Sequence, residues 1–166
     1  MAERDMLLKE KVDHTGIFDF KGFYRFAHTW FKDEGYGVDE GKYSEKLSGN
    51  SKNLTIEWKA TKQLSDYFKI EHIIRFTIEN LTDVEVEVDG EKKQMNKGKV
   101  EMEIKANLVS DPESKWDSSS FSRFLRDVYS KYIIPTRVDS LQGMVVEDAQ
   151  TFKEELKSYL DLMGKR

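Results

Sequence analysis

The chain has 166 residues, with 27 basic and 31 acidic side chains and a net charge of −4, a length that suits one domain able to bury its own core. Charged residues make up 35% and hydrophobic residues 38%, but ten Phe, seven Tyr and three Trp argue against disorder. The absence of cysteine excludes disulfides, thiolate catalysis and zinc–thiolate sites, and the weak acidity gives no global attraction to nucleic acid or anionic membrane.

The N-terminal Met1-Ala2-Glu3-Arg4-Asp5 is charged and leads into no apolar signal core. No apolar run approaches the ~20 residues of a membrane span, so a cytoplasmic protein with no membrane span is expected. Residues 1–166 are read as a single α+β domain.

Met6 to Val12 is a short strand candidate, broken at His14-Thr15-Gly16. Phe18 to Lys32 has helical periodicity, with Asp19 as the N-cap. At 100° per residue Phe20, Phe23, Tyr24, Phe26, Ala27, Trp30 and Phe31 fall on one arc, of roughly 160°, opposite the basic face of Lys21, Arg25, His28 and Lys32. Gly35-Tyr36-Gly37 stops this helix. Tyr43 to Ser48 is a further strand candidate, and Gly49-Asn50-Ser51 turns the chain into the next strand.

From Leu54 to Val109 the pattern is an antiparallel meander. Leu54–Ala60, Phe68–Ile78, Val84–Val88 and Val100–Leu108 alternate apolar and polar residues, the mark of strands with one buried face. Leu81-Thr82-Asp83 is the expected turn between the second and third strands, and Asp89 to Lys99 the expected tip of the last hairpin. The charged register, including Glu57, Glu71, Arg75, Glu101 and Lys105, is expected to face solvent. After Asp111-Pro112, Ser118-Ser119-Ser120 caps a second helix over Phe121 to Ile133, which Pro135 interrupts. Val138, Leu141, Val145, Ala149, Phe152, Leu156, Tyr159, Leu160 and Met163 then predict a long helix to Met163, on the order of 40 Å.

The fold class predicted is α+β: an antiparallel β-meander with one face covered by helices and closed by a long C-terminal helix. This order of elements is similar to that of the helix-grip domains of the START and polyketide-cyclase-like superfamily. The likeness implies a curved sheet wrapped around the terminal helix, and a cavity between them suited to an apolar ligand. The chain carries one helix after its first strand where that family usually has two short ones, and an extra helix before the last.

Among individual residues, His72 is the most informative. It stands in the inward register of the longest strand, between Ile70 and Ile74, where an imidazole needs a partner. It is either a core histidine bonded to a tyrosine, a backbone group or water, or a polar group in a ligand cavity. Trp58, Phe76 and Met102 share its face, and Phe152 and Leu156 lie on the helix expected to cover it. These six form the candidate ligand-binding set.

Catalysis is not expected. No Gly-x-Ser-x-Gly elbow and no phosphate-cradling glycine loop occurs, and His14, His28 and His72 lack ligand spacing. No cofactor or metal is expected, since Glu85, Glu87, Glu101 and Glu103 lack calcium-loop spacing. The lysines at 92, 93, 97 and 99 have no interleaved aromatics, which argues against nucleic-acid binding. Two readings remain: a non-enzymatic domain holding an apolar or amphipathic small ligand between sheet and C-terminal helix, or a protein-interaction or self-assembly module with a solid core, in which the aromatic arc or another apolar patch meets a partner.

Overall fold

The alternating segments form one five-stranded antiparallel sheet. In this computed structural model, which describes residues 3–65, 67–110 and 134–164, the elements are β1 (Glu3–Phe18), α1 (Phe20–Asp33), β2 (Gly37–Ser48), β3 (Ser51–Gln63), β4 (Phe68–Val88), β5 (Glu91–Ser110) and α2 (Ile134–Gly164). The sheet order is β1-β5-β4-β3-β2. The α+β class and the helix-covered meander therefore stand. The helix expected over 121–133 and its serine cap lie outside the described residues.

The second and third meander strands are one. β4 runs unbroken through the expected turn at Leu81-Thr82-Asp83, pairing with β5 on both sides of a register shift between Glu79 and Thr82. The irregularity is a bulge: Asn80 takes a positive φ of 55°, and its amide N–H donates to Asn53 Oδ1 at 2.9 Å. Gly98 makes room for it, since a Cβ there would lie 2.9 Å from the Glu79 carbonyl oxygen. Leu81, at the bulge, is buried, which holds the segment in the sheet. The hairpin tip contracts to Asp89-Gly90, with φ of 54° and 82°, the paired positive values of a two-residue hairpin turn.

β1 likewise continues past His14-Thr15-Gly16, with Gly16 opposite Gly98 on β5, so Phe18 ends a strand instead of opening a helix. α1 begins at Phe20 with Asp19 as N-cap, although the Asp19 side chain bonds no backbone N–H; the Asp19 carbonyl accepts from Phe23. In α2, Pro135 sits in the first turn, where its missing N–H costs no helical bond.

The two helices divide the inner face. α2 packs along β1 and β5 and touches α1. Its residues Leu141, Val145, Ala149, Phe152, Leu156 and Leu160 are buried at helical spacing. α1 covers the other half: Phe23 lies edge-on to Phe76 at 5.3 Å, and Tyr24 edge-on to Trp58 at 5.2 Å. Phe26 stacks on Tyr159 at 4.5 Å, joining α1 to α2. The inner register expected for Val84, Val86 and Val88 does not hold: the one-residue shift at the bulge pairs them with Met95, Lys93 and Glu91, in the register opposite to that of Val100 and Met102, and they are only half-buried.

The charged register mostly faces solvent, with one exception. Glu71 is 2% exposed, with Arg4 Nη2 2.7 Å from its Oε1. A carboxylate so buried needs a cation, and β1 brings Arg4 to it across β5 from far along the chain.

Candidate functional site

β4 places His72 in its inward register, as the alternation requires, and the ring is fully buried. Its cross-strand neighbours are Ala60 on β3 and Ala106 on β5. The two small residues leave room for rings from above: Tyr36 lies 5.2 Å from the imidazole and Phe31 6.0 Å, centroid to centroid. The Tyr36 hydroxyl is 3.1 Å from His72 Nε2 and donates to Asp148 Oδ2 on α2 at 2.6 Å. With its proton committed to Asp148, the tyrosine oxygen accepts from Nε2–H. This tautomer leaves His72 Nδ1 a bare lone pair, and that atom is buried with no partner. Burial lowers the imidazole pKa from 6.5 to about 4, because a proton on Nδ1 would place a charge where nothing can solvate it. Burial first, and the Asp148 carboxylate second, push the Tyr36 hydroxyl far above its ordinary value.

The remaining members of the candidate set are closely packed. Trp58, Phe76, Met102, Phe152 and Leu156 are each no more than 1% exposed. Trp58 lies edge-on to Phe76 at 4.9 Å, Met102 pairs with Phe76 across β4 and β5, and Phe152 meets Phe31 at 4.4 Å. The structure thus brings His72, Trp58, Phe76 and Met102 onto one sheet face with Phe152 and Leu156 over it, in mutual contact as a core. Tyr36, which engages His72, and Asp148, which engages Tyr36, had no signal of their own in the sequence. Only the need of a buried imidazole for a partner pointed toward a tyrosine.

A second constellation lies outside the core, where α1 passes over β2. A hollow of about 470 Å³ is lined there by Phe20, Lys21, Tyr24, Arg25, His28 and Tyr43, among others. Tyr24 in its wall is tied to the sheet by Glu40 on β2, whose Oε2 accepts from the Tyr24 hydroxyl and from Trp58 Nε1 at 3.1 Å. Burial and the Glu40 carboxylate raise the Tyr24 pKa to about 12. His28 lies edge-on to Trp58 at 5.6 Å. The basic arc read from the helix period therefore opens onto a hollow that β2 closes on one side.

β2 is an edge strand with β3 as its one neighbour among the described residues. All its residues except Val38 are exposed, Tyr43 and Leu47 prominently so at 48% and 72%. Lys21, Arg25, Lys42 and Lys46 have no ion-pair partner among the described residues, whereas Glu45 on the same strand is engaged by Lys52 at 3.4 Å.

Among the described residues no three His, Asp or Glu side chains gather around a point that could hold a metal ion, and no helix is long and apolar enough to cross a membrane. Compared with known proteins, the chain matches no family model, no curated protein and no solved structure.

Proposed function

We propose that this chain is a non-enzymatic protein-interaction module with a solid core, whose partner docks on the face formed by α1 and β2. The observation that carries this reading is the contrast between two regions. The sheet–helix interface is filled by large side chains in contact. The α1–β2 face keeps an open hollow, exposed Tyr43 and Leu47 and, among the described residues, an unpaired strand edge and four cations without an ion pair. Aromatic and cationic groups of this kind are favoured in interface cores, and an exposed strand edge is a ready template for pairing. Catalysis has no support: the Asp148–Tyr36–His72 chain has the form of a relay, but its histidine is sealed from substrate.

The test is site-specific photo-crosslinking in the cells that express the protein. A photoreactive side chain at Tyr43 is expected to yield discrete protein adducts, and the same group at the exposed Lys157 of α2 is not. Equal or absent crosslinking at the two positions removes the reading.

A second reading, an apolar or amphipathic small ligand between sheet and α2, keeps one specific support: the partnerless His72 Nδ1 between two alanines. The helix-grip likeness belongs with it. A ligand seated there must shift the His72 ring resonances and quench Trp58. A panel of fatty acids and aromatic amphiphiles that changes neither counts against it.

A further inference from the structure

We infer that the free edge of β2 receives an extended acidic segment of another protein, which adds to the sheet as a sixth strand. This inference rests on the interaction reading above and names the class of partner. Three observations carry it.

The first is the edge itself. β2 pairs with β3 along its whole length, with a register shift between Glu40 and Lys42, and continues regularly from Lys42 to Ser48. On its other side alternate backbone N–H and C=O groups of this stretch are free to bond an incoming strand.

The second is charge. The protein is acidic overall, whereas the Lys42–Ser48 stretch of this edge carries Lys42 and Lys46 against Glu45 alone. Lys42 and Lys46 stand opposite Glu57 and Asn53 on the outer face, and Lys21 and Arg25 project from α1 into the hollow on the inner face. Three carboxylates nearby are already engaged: Glu45 by Lys52, Glu40 by Tyr24 and Trp58, and Glu57, opposite Lys42, by Arg75 at 3.7 Å. An added strand lies ~4.8 Å beyond β2, which puts its outer-face side chains in cross-strand contact with Lys42 and Lys46. Acidic residues there meet unpaired cations.

The third is the inner face. Tyr43 and Leu47 share the inward register of β2 and are exposed, and Tyr43 forms one wall of the hollow. An incoming strand offers alternate side chains to this face, where an apolar residue covers Tyr43 or Leu47 and an acidic one reaches Lys21 and Arg25. Lysines on an edge strand also serve to prevent self-pairing. That role accounts for Lys42 and Lys46, but not for the exposed Tyr43 and Leu47 or for the cations across the hollow on α1. A second copy of the chain is disfavoured as occupant, since antiparallel self-pairing centred on Ser44 sets Lys42 against Lys46.

The experiment is selection of a phage-displayed library of random ten-residue peptides on the full chain, with affinity measured on the enriched peptides after synthesis. The expected result has three parts. Enriched sequences place Asp or Glu at alternating positions and avoid proline. The variant Lys42→Glu/Lys46→Glu, with an unchanged melting temperature, loses about tenfold or more in affinity. N-methylation of successive peptide amides abolishes binding at one parity only, the signature of a strand bonded along one edge. Enriched peptides that lack acidic alternation, or that bind the charge-reversed variant equally well, overturn the inference, as does a library that yields no binder. So does a dimer by light scattering that the double variant dissociates, since a second copy then occupies the edge. The crosslinking at Tyr43 fails or succeeds independently, so loss of the acidic-strand inference is distinguishable from loss of the interaction reading.

Discussion

Acidification provides the most direct test of the buried His72. In the unfolded chain its imidazole titrates at 6.5, and in the folded protein burial holds it at about 4. The folded value is the lower one, so between these limits the unfolded state binds more protons, and stability falls as pH falls. The contribution is complete above pH 6.5 and is lost as pH drops toward 4. At about pH 4.5 the unfolded ring is nearly all protonated while the folded ring is mostly neutral. Weighing the two populations gives a loss of about 2–3 kcal/mol relative to about pH 7.5. The ring is fully buried, so solvent screening does not reduce this figure. Urea unfolding of the wild type and of His72→Leu across this range measures it. The leucine variant carries a constant offset from the lost Tyr36 bond, but every other ionisable side chain is common to both proteins. The wild type is therefore expected to lose about 2–3 kcal/mol relative to the leucine variant on acidification. Parallel curves would refute a neutral, sealed imidazole and with it the Tyr36–Asp148 arrangement.

Three further outcomes are expected. Phe152→Ala, which empties the contact between α2 and the Phe31 ring, should cost about 3–5 kcal/mol by urea unfolding; a loss below 1 kcal/mol would mean that the sheet–helix interface is not close-packed. Gly98→Ala places a methyl 2.9 Å from the Glu79 carbonyl oxygen and 3.2 Å from that of Asn80, and should destabilise by about 1–3 kcal/mol with faster amide exchange around the bulge; a neutral effect counts against the bulge geometry. Arg4→Met leaves Glu71 buried without its cation, and about 1–3 kcal/mol should be lost, whereas Arg4→Lys retains much of it; equal stability of all three proteins would place Glu71 in solvent.

Local pattern carried much of this architecture. Period-two alternation marked the pairing parts of β3, β4 and β5, and the 3.6-residue period marked α1 and α2, because each element buries one face and writes that face into its sequence. Chain reversal was less legible. Asn80-Leu81-Thr82-Asp83 has the composition of a turn, but a bulge uses the same residues. The choice between them depends on whether β5 continues alongside, with Gly98 opposite to make room. β2 was half seen for a related reason: Gly37 to Lys42 is polar and glycine-rich, and only pairing with β3 holds it extended.

The candidate site divides along the same line. The sequence determined that a histidine stands among apolar residues on the buried face of β4, because register alone decides which face a strand residue occupies. It determined equally that α1 has a basic side. Only the tertiary structure decided that Tyr36 engages that histidine and Asp148 engages Tyr36, since they come from a turn and a helix far from it in the chain. It also decided that Glu71 is buried, that the six candidate residues pack against one another, and that the basic side of α1 opens beside a free strand edge. Each of these depends on what lies across a gap in space, which neither periodicity nor composition encodes.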